Sequence, residues 1–392
     1  MILSNPFTND PRVYNEACSL VRGGHSVNVL AWDVKKENSS KDAKDGINII
    51  RSYNTKLMDK VNKKTKICFV GSLTSSFIRN DYKILLKHFD VELVQPPRVK
   101  SGFFTWIKFI LQLQYKVKKS DITFSWFAGW HSAFAVFFSK LFRKKSIVVV
   151  GGYDAAYAPE INYGAFTNLK EKLPAKYVLK NADFILAVSE YIKREILDKS
   201  RPKNVTVIYN GVETDRFKRI KEKIVVTIGR ATKQHCKLKG LETFAKASVH
   251  LSNCEFVIIG STEDSTVNEL KKINPKIIFT GEISHKGVLR WLQRAKVYCQ
   301  LSYIESFGLG NAEAMSCECI PVVTDISALK EVVADNGFIV PYGDEIRTVS
   351  AIKNALKSSD ELGDGARKQI IKNFSLERRE KELKQIIQKI NY

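Results

Sequence analysis

Glu305 and Glu313 bracket the stretch Ser306-Phe307-Gly308-Leu309-Gly310-Asn311-Ala312. The apolar run before it, residues 297–301, is predicted to be a short buried strand. Ala312, Ala314 and Met315 favour a helix, while Gly308 and Gly310 stand where the chain must turn tightly into it. This puts Glu305 on a strand-to-helix loop and Glu313 in the first turns of the helix. Free backbone N–H groups and the helix dipole make such a turn an anion cradle. The dipole's preference for acidic residues would by itself account for Glu313. A carboxylate on each side of the cradle suits a phosphate that carries hydroxyl-rich groups at both ends, such as a nucleotide sugar.

Cations stand upstream. The strand predicted at residues 224–228 ends in Gly229-Arg230, and Lys239-Gly240 opens the next predicted helix. Ligands of doubly wound sheets sit at the carboxyl ends of strands, where Arg230 falls. An arginine fork and a lysine point charge suit a diphosphate. Lys237 competes with Lys239 for that role, and the helical pattern that follows, residues 241–247, favours Lys239. No Asp-x-Asp pair occurs in the chain. Arg230, Lys239 and the amides at Gly308–Gly310 would stabilise a leaving diphosphate electrostatically, so no metal is expected.

Together these motifs, with residues 319–324 behind them, resemble the Glu-x7-Glu signature of family 4 glycosyltransferases, retaining enzymes of the GT-B fold. The resemblance covers nearly the whole chain and is closer in the second half. It implies that Glu313 binds the nucleotide ribose and Glu305 faces the donor sugar, with nucleophile or base as the alternative role for Glu305. Phe307, Gly308 and Leu309 complete the implied donor site, and the donor is UDP- or GDP-linked. It also implies that the final helix, residues 375–392, crosses back to the first domain.

Three places depart from the family pattern. The usual glycine-rich loop after the first strand is replaced by Asn5-Pro6-Phe7-Thr8-Asn9-Asp10-Pro11-Arg12, in which Asp10 would cap a helix starting near Pro11 and Arg12 would reach an acceptor or phosphate. Where many relatives carry a histidine that contacts the donor sugar, this chain has Gly151-Gly152-Tyr153-Asp154. Gly152 permits close backbone approach, and Asp154 is the candidate for the hydroxyl contact. Glu318 occupies a position usually held by glycine.

The elements that must position these residues form two series of short apolar runs alternating with helical patterns. Strands are predicted at residues 26–32, 66–71, 121–125, 146–150, 184–189 and 205–209, and again at 224–229, 256–260, 276–280 and 297–301. Residues 34–46 are predicted to be an exposed loop, and residues 213–223 an interdomain linker. The fold class is α/β, with two Rossmann-like domains: residues 1–218 on the acceptor side, joined by residues 375–392, and residues 219–374 binding the nucleotide sugar.

A chain of 392 residues, 44% hydrophobic and 10% aromatic, fits two globular domains. Seven cysteines, an odd number with no C-x-x-C pair, read as reduced core residues of a cytosolic protein. No signal peptide is evident, and residues 124–142 are too mixed for a membrane span. The net charge of +22 is uneven. Residues 1–218 hold 36 Lys+Arg against 20 Asp+Glu, a net of +16, which leaves +6 for the remainder. Such a basic half suits an anionic membrane, a polyanion or nucleic acid. Nucleic acid lacks a stacked-aromatic or helix-turn-helix signature. Residues 101–119 combine aromatics with Lys108, Lys116, Lys118 and Lys119. They suit either membrane docking or an ordinary core helix with a basic outer face. His131 reads as a packed or capping residue.

The expectation is a cytoplasmic enzyme, peripheral at the inner membrane face, that transfers a sugar from a nucleotide donor to a saccharide or lipid-linked acceptor. A sugar-phosphate synthase or phosphorylase with a soluble acceptor is the near rival.

Overall fold

The computed structural model describes residues 2–3, 11–32, 41–52, 64–98, 101–214 and 221–391. The chain divides into two compact units, residues 1–64 and 65–392.

In the first unit, β1 (Ile2–Leu3), β2 (Val27–Trp32) and β4 (Ile47–Ser52) run parallel, and β3 (Lys41–Lys44) is added antiparallel at the edge, in the order β1-β2-β4-β3. Helix α1 (Pro11–Arg22) covers the sheet, burying Ala17 against Val27, Val29, Ile47 and Ile49. β3 corrects the loop predicted over residues 34–46. Its Lys-Asp-Ala-Lys sequence has no apolar alternation because all four residues are exposed, and its ladder with β4 comes from backbone pairing at a charged edge. The strands before residue 64 thus form a sheet of their own. The expected cap at Asp10 and the loop before it lie outside the described residues, as does most of the expected linker; Glu222 and Lys223 already belong to a strand of the second unit.

The second unit holds two six-stranded, all-parallel sheets. The first contains β5 (Lys66–Val70), β6 (Asp90–Val94), β7 (Ile122–Trp126), β8 (Lys145–Val150), β9 (Phe184–Ala187) and β10 (Val205–Val207), in the order β10-β9-β8-β7-β5-β6. Its crossovers are α2 (Ser76–His88), α3 (Phe103–Lys119), α4 (Trp130–Leu141), α5 (Leu169–Asn181) and α6 (Glu190–Lys199). The central strands are buried on both faces, as parallel strands under helices must be. Thr123 is therefore paired, its hydroxyl 2.8 Å from that of Ser139. The apolar stretch 124–142 is split between β7 and α4. No helix among the described residues is long and apolar enough to cross a membrane.

The other sheet, ordered β13-β12-β11-β14-β15-β16, contains β11 (Glu222–Ile228), β12 (Glu255–Ile259), β13 (Ile278–Phe279), β14 (Ala295–Gln300), β15 (Ile320–Thr324) and β16 (Phe338–Val340). Between its strands lie α7 (Lys233–Lys239), α8 (Leu241–Val249), α9 (Asp264–Ile273), α10 (His285–Arg294), α11 (Leu309–Ser316) and α12 (Leu329–Val333), and after them α13 (Glu345–Lys357) and α14 (Asp360–Phe374). Two Rossmann-like α/β sheets are thus joined in one unit, the architecture of the GT-B fold.

The last helix, α15 (Leu376–Asn391), crosses back onto the first of these sheets. Arg379 donates to Asp81 of α2 through Nε (2.6 Å) and Nη2 (2.7 Å), and to the carbonyls of Ile208 and Tyr209 through Nη1. Both charged residues are buried, and the Trp126 indole N–H donates to the same carboxylate at 3.0 Å. A pair so buried is tolerable only because nearly every polar atom has a partner.

Candidate functional site

β14 delivers the chain to Glu305, and the loop after it turns at Gly308 into α11. Gly308 has φ +83, and a Cβ there would stand 2.6 Å from Leu329 Cδ2, so both conformation and space require glycine. The Glu305 N–H donates to Ser327 Oγ at 3.0 Å, and the Glu305 carbonyl accepts from Ala328 N–H at 3.2 Å. The loop is pinned at both ends of that residue.

On this frame stands a cleft of about 480 Å³. Arg230, Lys239, Glu305, Leu309 and Gly310 line it, with His235, Glu282 and Gln300. Lys239 Nζ lies 2.6 Å from Glu305 Oε2, and Gln300 Nε2 donates to the same oxygen at 3.0 Å. The Gln300 amide is oriented by the buried Tyr298 hydroxyl, which donates to its Oε1 at 2.8 Å. Glu305 is thus held by a cation and an amide on one oxygen. Arg230 is exposed at the carboxyl end of β11. His235 has its pKa lowered by burial and by the Arg230 and Lys239 charges, which keeps its ring neutral near pH 7.

Residues 233–239 fold as α7. Lys239 closes that helix and does not open the next one, with Gly240 between α7 and α8. Lys237 is exposed outside the cleft, and its carbonyl accepts from the Tyr342 hydroxyl at 2.7 Å. Lys239 is the lysine that reaches the cleft.

Glu313 lies one turn into α11, and its Oε1 is 3.0 Å from His285 Nε2. The hydrogen bond to Glu313 raises the pKa of His285. His285 was not among the sequence candidates. Ser284 in a capping position before a helical pattern was the signal that would have placed it at a helix start, 3.3 Å from the Gly287 N–H.

Phe307 differs from its expected role. Its side chain is 1% exposed and packs on Phe374 and Tyr209, ring centroids 5.5 and 6.4 Å away. It anchors the loop to the core and stays out of the cleft. Asp154 is likewise 3% exposed. Its Oδ2 accepts from Ala128 N–H and its Oδ1 from Gly152 N–H, both at 2.8 Å. The carboxylate ties the loop after β7 to the loop after β8, where a sugar contact had been expected. Gly152 has φ +128, and a Cβ there would collide with Ser306. This glycine is where the first sheet's loop meets the Glu305 loop.

His131 fills the packing role expected of it. Its Nε2 lies 2.7 Å from the Trp126 carbonyl, and burial lowers its pKa. Glu318 has φ +63 just past the end of α11, a left-handed position that glycine fills at less cost.

Residues 12–216 match the family model "Glycosyltransferase Family 4", and residues 212–374 match "Glycosyl transferases group 1". An uncharacterized glycosyltransferase of Methanocaldococcus jannaschii is 26% identical over 284 residues, 64% of this chain and 71% of that protein. The alpha-maltose-1-phosphate synthase of Mycolicibacterium smegmatis is 25% identical over 236 residues, 50% of this chain and 60% of that one. Among solved structures, HepE of Anabaena in complex with UDP and glucose superposes with a TM-score of 0.65 at 15% identity, covering 83% of this chain and 100% of that one. The first family model spans more than half of the 392 residues, so the chain belongs to glycosyltransferase family 4, and it is a glycosyltransferase of the GT-B type.

Proposed function

We propose that this enzyme transfers a sugar from a UDP- or GDP-linked donor, with retention of anomeric configuration and without a metal ion, to a saccharide or lipid-linked acceptor. The observation that carries the reading is the convergence of Arg230, Lys239 and the amino end of α11 on one cleft with Glu305. Arg230 and Lys239 take the diphosphate, and the α11 amides add their dipoles where charge develops. Glu313 accepts from the ribose hydroxyls in exchange for His285. Glu305 faces the sugar, and Lys239 is shared between that carboxylate and the leaving phosphate.

In the transfer, the acceptor hydroxyl oxygen bonds to the anomeric carbon as the bond from that carbon to the β-phosphate oxygen breaks. The acceptor's proton passes to the departing phosphate, and nucleoside diphosphate leaves. The UDP and glucose held by Anabaena HepE support a nucleotide-sugar donor. The acceptor-side domain is the basic one and suits an anionic membrane surface.

The test is a panel of nucleotide sugars screened by thermal shift, with the product's anomeric configuration read by NMR. One donor should stabilise the protein and give a retained linkage. A panel in which no nucleotide sugar binds would remove the reading. The similarity to alpha-maltose-1-phosphate synthase favours one alternative, a soluble phosphorylated acceptor. Turnover of such an acceptor without membranes would establish it.

A further inference from the structure

A cavity larger than the cleft beside Glu305 lies elsewhere in the second unit. It is a trough of about 770 Å³ on the first of the two six-stranded sheets, walled by Trp106 and Ile110 of α3, Trp130 and Phe134 of α4, and Pro174 of α5. A second hollow of about 380 Å³ shares Ile110, Trp130, Phe134 and Pro174 with it and extends along α4 to Phe137. The two adjoin through these shared walls.

Three observations say what covers it. Exposed apolar side chains stand on its walls and on the same helices: Leu173 (56% exposed), Phe137 (50%) and Trp130 (49%) line the two hollows, and Phe103 (74%), Phe104 (84%) and Leu169 (69%) lie elsewhere on α3 and α5. A patch of this kind on one face marks a binding surface and is not ordinary surface scatter. The same three helices are strongly basic, with four lysines on α3, one on α4 and four on α5 against a single acid, Glu171. Glu171 is itself engaged, accepting from the Tyr153 hydroxyl at 2.7 Å. Finally, Tyr153 and Asp154 also line the trough, next in the chain to Gly152, which abuts Ser306 beside Glu305. An apolar trough thus leads from a basic surface to the loop that carries the proposed chemistry.

We propose that this trough holds the hydrocarbon chain of a phosphate-bearing lipid acceptor, drawn from an anionic membrane on which α3, α4 and α5 lie. This deepens the proposed function and rests on it. The lysines take the anionic headgroups near the surface. Phe103 and Phe104 enter the headgroup boundary at the amino end of α3, and the chain leaves the bilayer along the trough. Each buried CH₂ adds to affinity, so a short chain suffices for measurable binding.

The probe is dodecyl phosphate, titrated calorimetrically against wild type and the double variant Trp130→Glu/Phe137→Glu. Both substituted residues are exposed, so the fold is expected to persist, and UDP and GDP titrations of each protein check that it does. Wild type should bind dodecyl phosphate and not inorganic phosphate. The variant should lose about tenfold or more in affinity, a change of ~1.4 kcal/mol, with unaltered nucleotide binding. Flotation with vesicles of phosphatidylglycerol and phosphatidylcholine in equal parts should fall in parallel. Absence of dodecyl phosphate binding to wild type overturns the proposal. So does equal binding by the variant, or a dimer in sedimentation that the variant abolishes, which would make the face a contact between copies. A protein that binds dodecyl phosphate but no nucleotide would leave the trough assignment standing and remove the donor assignment.

Discussion

Lys239 Nζ, at the last residue of α7, and Glu305 Oε2, on the loop after β14, are 2.6 Å apart. Both side chains are mostly shielded, 23% and 16% exposed, so each sets the charge that the other offers to a ligand. The lysine holds the carboxylate aimed, and the carboxylate keeps the lysine in the cleft. Changing either alters both.

Glu305→Gln keeps the shape and removes the charge. Transfer activity should fall by at least about a hundredfold, with nucleoside diphosphate affinity changed much less, because charge stabilisation in the transition state is lost. Steady-state kinetics beside calorimetry measures the split. Wild-type kcat in this variant would show that Glu305 is only a loop anchor.

Glu313→Ala and Arg230→Ala should each weaken UDP or GDP binding about tenfold or more, since a charge-assisted hydrogen bond contributes ~1.5–3 kcal/mol. Circular dichroism should be unchanged. If calorimetry finds both variants binding as tightly as wild type, the ribose and diphosphate assignments are wrong.

Activity should survive excess chelator, because fixed cations and backbone amides serve the leaving diphosphate. Complete loss on chelation, restored by magnesium or manganese, is the contrary result.

The His285–Glu313 contact has a signed dependence on pH. Glu313 raises the folded-state pKa of His285. Its contribution to stability is therefore fully present below the unfolded pKa of ~6.5 and is lost as pH rises through the higher folded value. The Tm difference between wild type and His285→Asn should be larger at pH 6 than at pH 9. It should be small throughout, because His285 is 61% exposed. A difference that grows with pH would contradict this.

Arg379→Met strands Asp81 as a buried, unpaired carboxylate. The expected loss is ~3–5 kcal/mol, and the double change Asp81→Leu/Arg379→Met should recover much of it. Denaturant unfolding of the three proteins tests the cycle. A single variant as stable as wild type would mean that α15 contributes nothing through this pair.

Much of this was legible in the chain. Strands such as β8 and β11 are continuous apolar runs, and Gly308 and Gly310 mark the turn beside Glu305. Three features were not. β3 shows no apolar period because it is an exposed edge, visible only through its pairing with β4. The roles of Phe307 and Asp154 depend on which way a side chain turns from a loop, and sequence spacing leaves that undetermined. The partnership of His285 with Glu313 needs two helices 28 residues apart to meet, a tertiary fact without a local signal. The left-handed geometry at Glu318 does explain why glycine is usual there.

The tie between Asp81 and Arg379 also sets an order of events during synthesis. The two residues are 298 positions apart, and ribosomes add about 5–20 residues per second. For about 15–60 s after Asp81 emerges, the nascent first sheet carries an acid whose countercharge has not yet been made. Only with the arrival of α15 does that buried acid gain its countercharge.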